Sequence, residues 1–506
     1  MKRLESPVDV ERFRALVLAR LGLQFEDAKL GFLAEIVQTR LDEKRVNADE
    51  YLHALEFDTC DDELPALANK LTVPETYFFR NYDQFRALRH LAIPARLEQA
   101  PSRKLNILSA GCASGEEPYS IAMTLLGMGL DPSRFNVTAL DINPMALKKA
   151  RRAHYSSWAF REMPQDQQQR WFHPNGRDFV LSDVVRAAVS FHECNLAENS
   201  AEIWRPNAYD VIFCRNVLMY FAPDQARKAI DRITQSLAPG GFLFLGHAET
   251  LRGLSDNFHL HHTHNAFYYA RKNPDEAADA LPVAFFERAS APAPSNGNAL
   301  DPGDDWIQSI HRASARVHAL SVGTQRLSAR RSYSPPTQAA LDIKPVFAML
   351  HSDRFDEALA YVRDLPTAAG DDPDVLLVEA MLLAHASRTA DAENACHRLL
   401  RIDEMNASAH HVLALCRETA GDLDAAMEHD RIAAYLDPSF GMPHLHMGLL
   451  GRRIGDRDMA RRELALALPL LKHEDSARLM LFSGGFNRQS MIELCASALK
   501  DCGGAP

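Results

Sequence analysis

The segment Leu105–Ser120, LNILSAGCASGEEPYS, sets an apolar run against a glycine loop and then against two adjacent carboxylates. Gly111 and Gly115 follow a G-x-x-x-G spacing, which lets a backbone turn tightly and approach a ligand. It is not the G-x-G-x-x-G of dinucleotide sites. Glu116 and Glu117 then open a helix, where the macrodipole alone favours carboxylates. The same pair would repel a diphosphate, so a cationic ligand bearing a sulfonium and an amino group suits this loop better. Asp141 ends the next apolar run, at the position from which an acidic residue accepts ribose hydroxyls; the competing reading is a helix cap ahead of Pro144. Arg215 and Asn216 interrupt YDVIFCRNVLMYF at the end of a further apolar run, where open α/β sheets bind ligands. Arg80 closes PETYFFR, and taken alone reads as a snorkelling surface side chain.

These residues need a scaffold, and the apolar periodicity supplies one. Residues 1–90 read as helical, with Phe13, Leu16, Val17, Arg20 and Leu21 on one stripe, and Leu33, Ile36, Val37 and Leu41 inward on a helix near Phe32–Arg45. That helix ends in Arg40, Lys44 and Arg45, which suit a helix C-terminus through the macrodipole. Over residues 91–271, short apolar runs alternate with helical segments such as Pro118–Met128 and Pro223–Leu237. The runs are Leu105–Ser109, Asn136–Leu140, Val189–Glu193, Tyr209–Cys214 and Gly241–Leu245, with Phe267–Ala270 as a final edge strand. The alternation predicts a mostly parallel sheet with helices on both faces. Ala238-Pro239-Gly240-Gly241 reads as a turn into the fifth strand. Residues 155–188 break the alternation and read as an insertion with short strands of its own.

Residues 272–340 are rich in Ala, Pro and Ser and read as a linker, with a short helix near Asp305–Leu320. Residues 341–472 repeat. Ala358, Ala392, Ala426 and Ala460 recur every 34 residues, as do Ala380, Ala414 and Gly448, and Gly421 and Gly455. Pro438 closes the third unit, and Asp353 stands at the first turn where glycine is usual. A 34-residue period with small residues where paired helices cross resembles the tetratricopeptide repeat, TPR, and predicts an all-α solenoid. Residues 473–506 read as a capping helix and tail.

Composition narrows the function classes. A chain of 506 residues is too long for one core. A net charge of -11 argues against wholesale nucleic-acid binding. The eight cysteines, among them Cys60, form no CxxC pair and no zinc-ligand spacing, so no metal is expected. The N-terminus lacks an apolar signal region and no stretch approaches a membrane span, so a cytoplasmic protein without membrane insertion is expected.

PETYFFR, SAGCASGEEPYS, ALDIN, ECNL, FCRNVLMYF and LAPGGFLFLGHAE occur in that order, and together resemble the CheR family of chemotaxis protein methyltransferases over residues 10–271. The resemblance implies an all-helical N-terminal domain joined to a class I (Rossmann-like) α/β methyltransferase domain, whose β-subdomain would fall at 155–188. It implies S-adenosylmethionine as cofactor, S-adenosylhomocysteine as product, and glutamates on the cytoplasmic helices of methyl-accepting chemoreceptors as substrates. Thr76, Arg80, Glu117, Asp141, Asn195, Leu196, Asn216 and Val217 match the family's cofactor positions. Pro74 stands where the family commonly has Asn, so one cofactor contact is expected to be lost. Arg80 and Tyr220 are the candidates for orienting the incoming carboxylate, and Arg40, Lys44 and Arg45 for receptor recognition. An unidentified protein is the expected ligand of the TPR array. Two other readings compete. One is a TPR adaptor with a weakly active, regulatory methyltransferase domain. The other is a methyltransferase acting on a small-molecule carboxylate or nucleic acid.

Overall fold

The computed structural model describes residues 7–57, 63–72, 75–198, 200–247, 249–273, 345, 346, 349, 354–365, 372–483 and 486–503. Cys60, Pro74, Asp353, the 274–340 part of the linker with its expected helix at Asp305–Leu320, and residues 504–506 of the tail lie outside them. The chain divides into two units, Met1–Phe285 and Phe286–Pro506.

The first unit opens with four helices: α1 Pro7–Leu21, α2 Leu30–Lys44, α3 Ala48–Glu56 and α4 Glu63–Leu71. Their core is Phe13, Val17, Leu21, Leu33, Ile36, Val37, Leu41, Tyr51, Leu52, Leu55, Leu67 and Leu71. Asn47 caps α3 in a capping box with Glu50, which satisfies two backbone N–H groups that the first turn leaves open. Next come α5 Tyr82–Ala87, a π-helical turn Leu88–Ala92 and α6 Ile93–Gln99. Phe78, Phe79, Phe85, Leu88 and Ile93 belong to the core of the sheet, not to that of the first helices. The division between the two cores therefore falls between Leu71 and Phe78, earlier than residue 90.

The remaining elements of this unit are β1 Leu105–Ala110, α7 Glu116–Gly127, β2 Phe135–Asp141, α8 Pro144–Arg152, β3 His154–Tyr155, α9 Gln165–Trp171, β4 Phe172–Asn175, β5 Asp178–Leu181, α10 Asp183–Ala187, β6 Val189–Glu193, β7 Tyr209–Cys214, α11 Pro223–Ser236, β8 Leu237–Leu245, β9 Phe258–Thr263 and β10 Ala266–Arg271. The main sheet has the order β6-β2-β1-β7-β8-β10-β9. Its first five strands are parallel, and β10 and β9 run antiparallel. The 155–188 insertion carries a second sheet, β3-β5-β4.

Two strand expectations need correction. β10 is not the edge: it lies between β8 and β9, whose sequence FHLHHT hides a strand behind three histidines. Ala238–Gly241 is not a turn but part of β8, and the irregularity of its glycines is taken up as a register shift against β7 between Tyr209 and Val211.

The second unit is helical among its described residues: α12 Phe355–Arg363, α13 Pro373–His385, α14 Thr389–Ile402, α15 Ala407–Thr419, α16 Leu423–Leu436, α17 Gly441–Ile454, α18 Arg457–His473, α19 Ser476–Phe482 and α20 Arg488–Asp501. Consecutive helices pair with the 34-residue period of a TPR array. Ala358, Ala392, Ala426 and Ala460 are fully buried. A Cβ on Gly448 would come 2.6 Å from Leu464 Cγ, so the small residue is required at this crossing. Gly421 and Gly455 take left-handed backbone between paired helices, and Ser387, one period earlier, takes it without glycine. The C-terminal end is two helices, α19 and α20, where one capping helix was expected.

A buried polar cluster ties three of these helices. Asp430 on α16 bonds His411 Nδ1 of α15 at 2.7 Å and His446 Nδ1 of α17 at 2.5 Å. His446 Nε2 meets Glu418 at 3.0 Å, and Arg453 pairs with Glu418. Two ligand atoms on one zinc ion sit about 3.3 Å apart, so these shorter contacts are those of proton-sharing groups. Burial alone would push the His446 imidazole down; Asp430 and Glu418 overcome it and hold His446 at about 10. An imidazole raised in the folded state contributes its stability in full below the unfolded value of 6.5 and loses it as pH climbs toward about 10. The unfolding transition of this unit is therefore expected to fall steadily across that alkaline window. His446→Gln should abolish the slope, and a flat calorimetric profile in the wild-type chain would contradict it.

Candidate active site

The register of the sheet assembles the site. Ala110 pairs with Leu140 on one side and Cys214 on the other, so β1, β2 and β7 end level. The chain builds outward from β1 through β2 to β6 and then crosses back to β7 on the other side of β1, and this reversal opens the crevice where such sheets bind ligands. The glycine loop bends over this edge, with the N–H groups of Gly111 and Cys112 both donating to Leu140 O at 2.8 Å. Gly111 has φ 79°, and a Cβ there would lie 2.2 Å from Val217 Cγ2. Only glycine allows this loop and the one after β7 to approach so closely.

Between these loops lies a cavity of about 1130 Å³, counting its open mouth. Thr76, Arg80, Glu117, Asp141, Asn195, Leu196, Asn216, Val217 and Tyr220 all line it. A further wall that the sequence does not announce is Leu21, Leu23, Gln24, Phe25, Leu71 and Thr72, from the ends of α1 and α4 and the residues that follow them. Their docking uses backbone hydrogen bonds and one side chain. Gln24 N–H donates to Tyr220 O at 2.8 Å, Leu23 bridges Phe221, and Asn195 Nδ2 donates to Arg20 O at 2.9 Å.

The acidic pair splits. Glu116 turns into the core and accepts from Ser114 Oγ at 2.8 and 3.0 Å. Glu117 faces the cavity, accepting from Ser109 Oγ at 2.7 Å and from Arg215 Nη1 at 3.2 Å. Burial pushes the Glu117 carboxyl above its ordinary range, and Arg215 opposes the shift. A bound ammonium would favour the ionised form. Asp141 accepts the N–H of Ala113 at 2.7 Å and of Asn143 at 2.8 Å, one on each oxygen. A carboxylate offers about four acceptor positions, so room remains for two hydroxyls. The cap ahead of Pro144 is Asn143, whose side chain accepts from Met145 and Ala146, which removes the helix-cap reading of Asp141.

Arg80 is anchored rather than loose. Its neighbours Phe79 and Asn81 both take left-handed backbone, and Phe79 holds that conformation with its ring in the core and its N–H on Ser120 Oγ at 2.9 Å. Arg80 O accepts from Arg215 Nη2 at 2.6 Å, and its guanidinium donates to Glu75 O at 3.1 Å. Tyr220, 39% exposed, stands at the mouth on the 3-10 turn Leu218–Tyr220.

Two residues escaped the sequence reading as site residues. Arg215, at a strand end where such sheets bind ligands, carries no sequence sign of its partner; it is buried, pairs with Glu117 across 98 positions, and leaves Nε without a partner. Glu249, in the LGHAE stretch after β8, binds the backbone of the loop after β7. The basic trio divides. Arg40 is not a surface residue: it is 7% exposed and bonds the 1% exposed Glu63 through Nε at 2.6 Å and Nη2 at 2.7 Å. Lys44 also meets Glu63, at 3.1 Å, and Arg45 is exposed in left-handed backbone just past α2.

The donor set fits S-adenosylmethionine. Glu117 would hold its ammonium, Asp141 its ribose, and Asn195 and Leu196 its adenine, in a cavity that offers carboxylates to a cation.

The model of the CheR methyltransferase SAM-binding domain matches residues 74–267. The Probable biofilm formation methyltransferase WspC of Pseudomonas putida is 30% identical over 457 residues, covering 89% of this chain and 96% of that protein. The protein of the same description from Pseudomonas aeruginosa is 27% identical over 89% of this chain and 96% of its own length. Chemotaxis protein methyltransferase 2 of Vibrio cholerae is 34% identical over 259 residues, covering 50% of this chain and 90% of that protein. No described helix is long and apolar enough to cross a membrane. With the sheet order, the cavity and these relatives in agreement, the chain belongs to the CheR family of S-adenosylmethionine-dependent protein-glutamate methyltransferases.

Proposed function

We propose that the protein esterifies glutamate side chains on the cytoplasmic helices of methyl-accepting chemoreceptors, within a chemosensory pathway controlling surface growth. The observation that carries the reaction is the convergence of Glu117, Asp141, Arg80 and Tyr220 on one cavity. What supports the pathway is coverage. The relatives described as biofilm formation methyltransferases match 89% of this chain, whereas the Vibrio cholerae chemotaxis relative matches half of it. The C-terminal unit is thus shared with the former.

When bound, S-adenosylmethionine supplies a methyl group made electrophilic by its sulfonium. A glutamate carboxylate, of reference pKa about 4.3, is already ionised at neutral pH and needs no general base. The chain's task is alignment and exclusion of water. Arg80, fixed through its own carbonyl by Arg215, orients the incoming carboxylate, and Tyr220 contributes from the mouth. Arg45, with Lys44, faces acidic receptor helices; Arg40 is withdrawn from that role by its burial. The C-terminal array holds a protein partner.

The test is transfer of labelled methyl from S-adenosylmethionine to receptor cytoplasmic fragments. Alkali-labile label on glutamates is the expected result. Cofactor binding without transfer to any receptor fragment would replace this reading with that of an adaptor.

A further inference from the structure

Glu249 is 5% exposed and lies four residues beyond β8, outside the cavity lining. Its Oε2 accepts the N–H groups of Asn216 and Gly246, each at 2.7 Å. Its Oε1 accepts those of Val217 at 2.9 Å and Met219 at 3.3 Å. Four backbone donors from two separate loops therefore converge on one carboxylate. Convergent N–H groups make a concavity for an anion, and here the anion is the chain's own side chain. Three of the four donors belong to Asn216–Met219, the stretch that presents Asn216 and Val217 to the cofactor cavity and leads into Tyr220.

Asn216 takes left-handed backbone at φ 57°, which asparagine tolerates better than other residues with side chains, and this turns its N–H toward Glu249. Gly246 is fitted to the same clamp: a Cβ there would fall 2.5 Å from Glu249 Oε2 and 2.9 Å from Asn216 N. An ionised carboxylate can accept from all four donors, whereas an amide brings its own N–H groups toward some of them.

We propose that Glu249 is a positioning residue of the methyl-transfer site, which sets the Asn216–Val217 wall of the cofactor cavity by gathering the backbone N–H groups of the loops after β7 and β8. The proposal rests on the assignment of that cavity to S-adenosylmethionine. Glu249 lies outside the cavity lining, so its loss is expected to act on cofactor affinity more than on recognition of the receptor.

The experiment uses the full-length chain, with S-adenosylhomocysteine as the calorimetric probe and methyl transfer from S-adenosylmethionine as the kinetic one. In Glu249→Gln the Kd for S-adenosylhomocysteine and the KM for S-adenosylmethionine are expected to rise about 10-fold or more. The KM for the receptor fragment should stay near the wild-type value. Hydrogen exchange should quicken at residues 216–219 and 246 while the amides of β7 and β8 remain protected. Glu249→Asp keeps the charge but is one methylene short, so its affinity should fall between the two, and it carries the same comparison if the glutamine variant does not fold. A variant that is folded, with exchange quickened at 216–219 and affinity within twofold of wild type, would overturn the proposal. Failure of the wild-type chain to bind S-adenosylhomocysteine would instead overturn the cofactor assignment itself, and this proposal with it.

Discussion

Asp141→Ala is expected to weaken S-adenosylhomocysteine binding by roughly two to four orders of magnitude, because two hydrogen bonds to a charged acceptor are worth about 1.5–3 kcal/mol each. The substitution also strips the acceptor from the N–H groups of Ala113 and Asn143, which the structure places at 2.7 and 2.8 Å. The glycine loop should therefore loosen as well as lose a ligand contact. Titration calorimetry on the folded variant is the direct measure, and labelled-methyl transfer should fall in parallel. A dissociation constant within threefold of wild type would mean that the ribose is held elsewhere. The helix cap ahead of Pro144 should survive, since Asn143 supplies it.

The second large effect is on stability. Arg40→Ala leaves Glu63 buried among apolar side chains, with Lys44 and Tyr51 as its remaining partners. Breaking a buried pair by removing one member costs about 3–5 kcal/mol. Burial pushes Glu63 up, and Arg40, Tyr51 and Lys44 outweigh it to hold the carboxyl below its ordinary value. Denaturant unfolding should show the loss, and Arg45→Ala, at an exposed position, should show almost none. Were Arg40→Ala as stable as wild type and impaired only in receptor binding, the pairing with Glu63 would not be what the residue is for.

Arg40 also shows how a sequence can be half read. Leu33, Ile36, Val37, Arg40 and Leu41 stand at i, i+3, i+4, i+7 and i+8, the spacing of one buried helix face. The position announced its burial, and the charge suggested a surface. The partner that reconciles them, Glu63, lies on another helix 23 residues away. The central strands were legible for the opposite reason. β1 and β7 are covered on both faces, so they appear as mostly apolar runs, interrupted only by Asn106 and Ser109 in β1 and by Asp210 in β7. β9 is half-exposed and carries His259, His261 and His262, which masks its alternation.

The candidate site shows the same division. Glycines and carboxylates at strand ends were visible because their types and local spacing carry the chemistry. Arg215 was visible as a residue but not as a partner, since nothing in the sequence ties it to Glu117, 98 positions away. Glu249 was harder still: its partners are backbone groups, which every residue possesses and which leave no mark in the sequence. The wall built from Leu21 to Phe25 depends on pairing with Tyr220 and Phe221, nearly two hundred residues away.

That wall makes the cavity a shared possession of two hydrophobic cores. A ligand that touches both faces stabilises their docking by RT ln(1 + L/Kd), with L its free concentration, as any ligand stabilises the state that binds it. The methyl donor is then also a clasp. Its concentration is expected to set not only how often the reaction occurs but how firmly the first four helices are held against the sheet, which thermal unfolding measured against S-adenosylhomocysteine concentration checks.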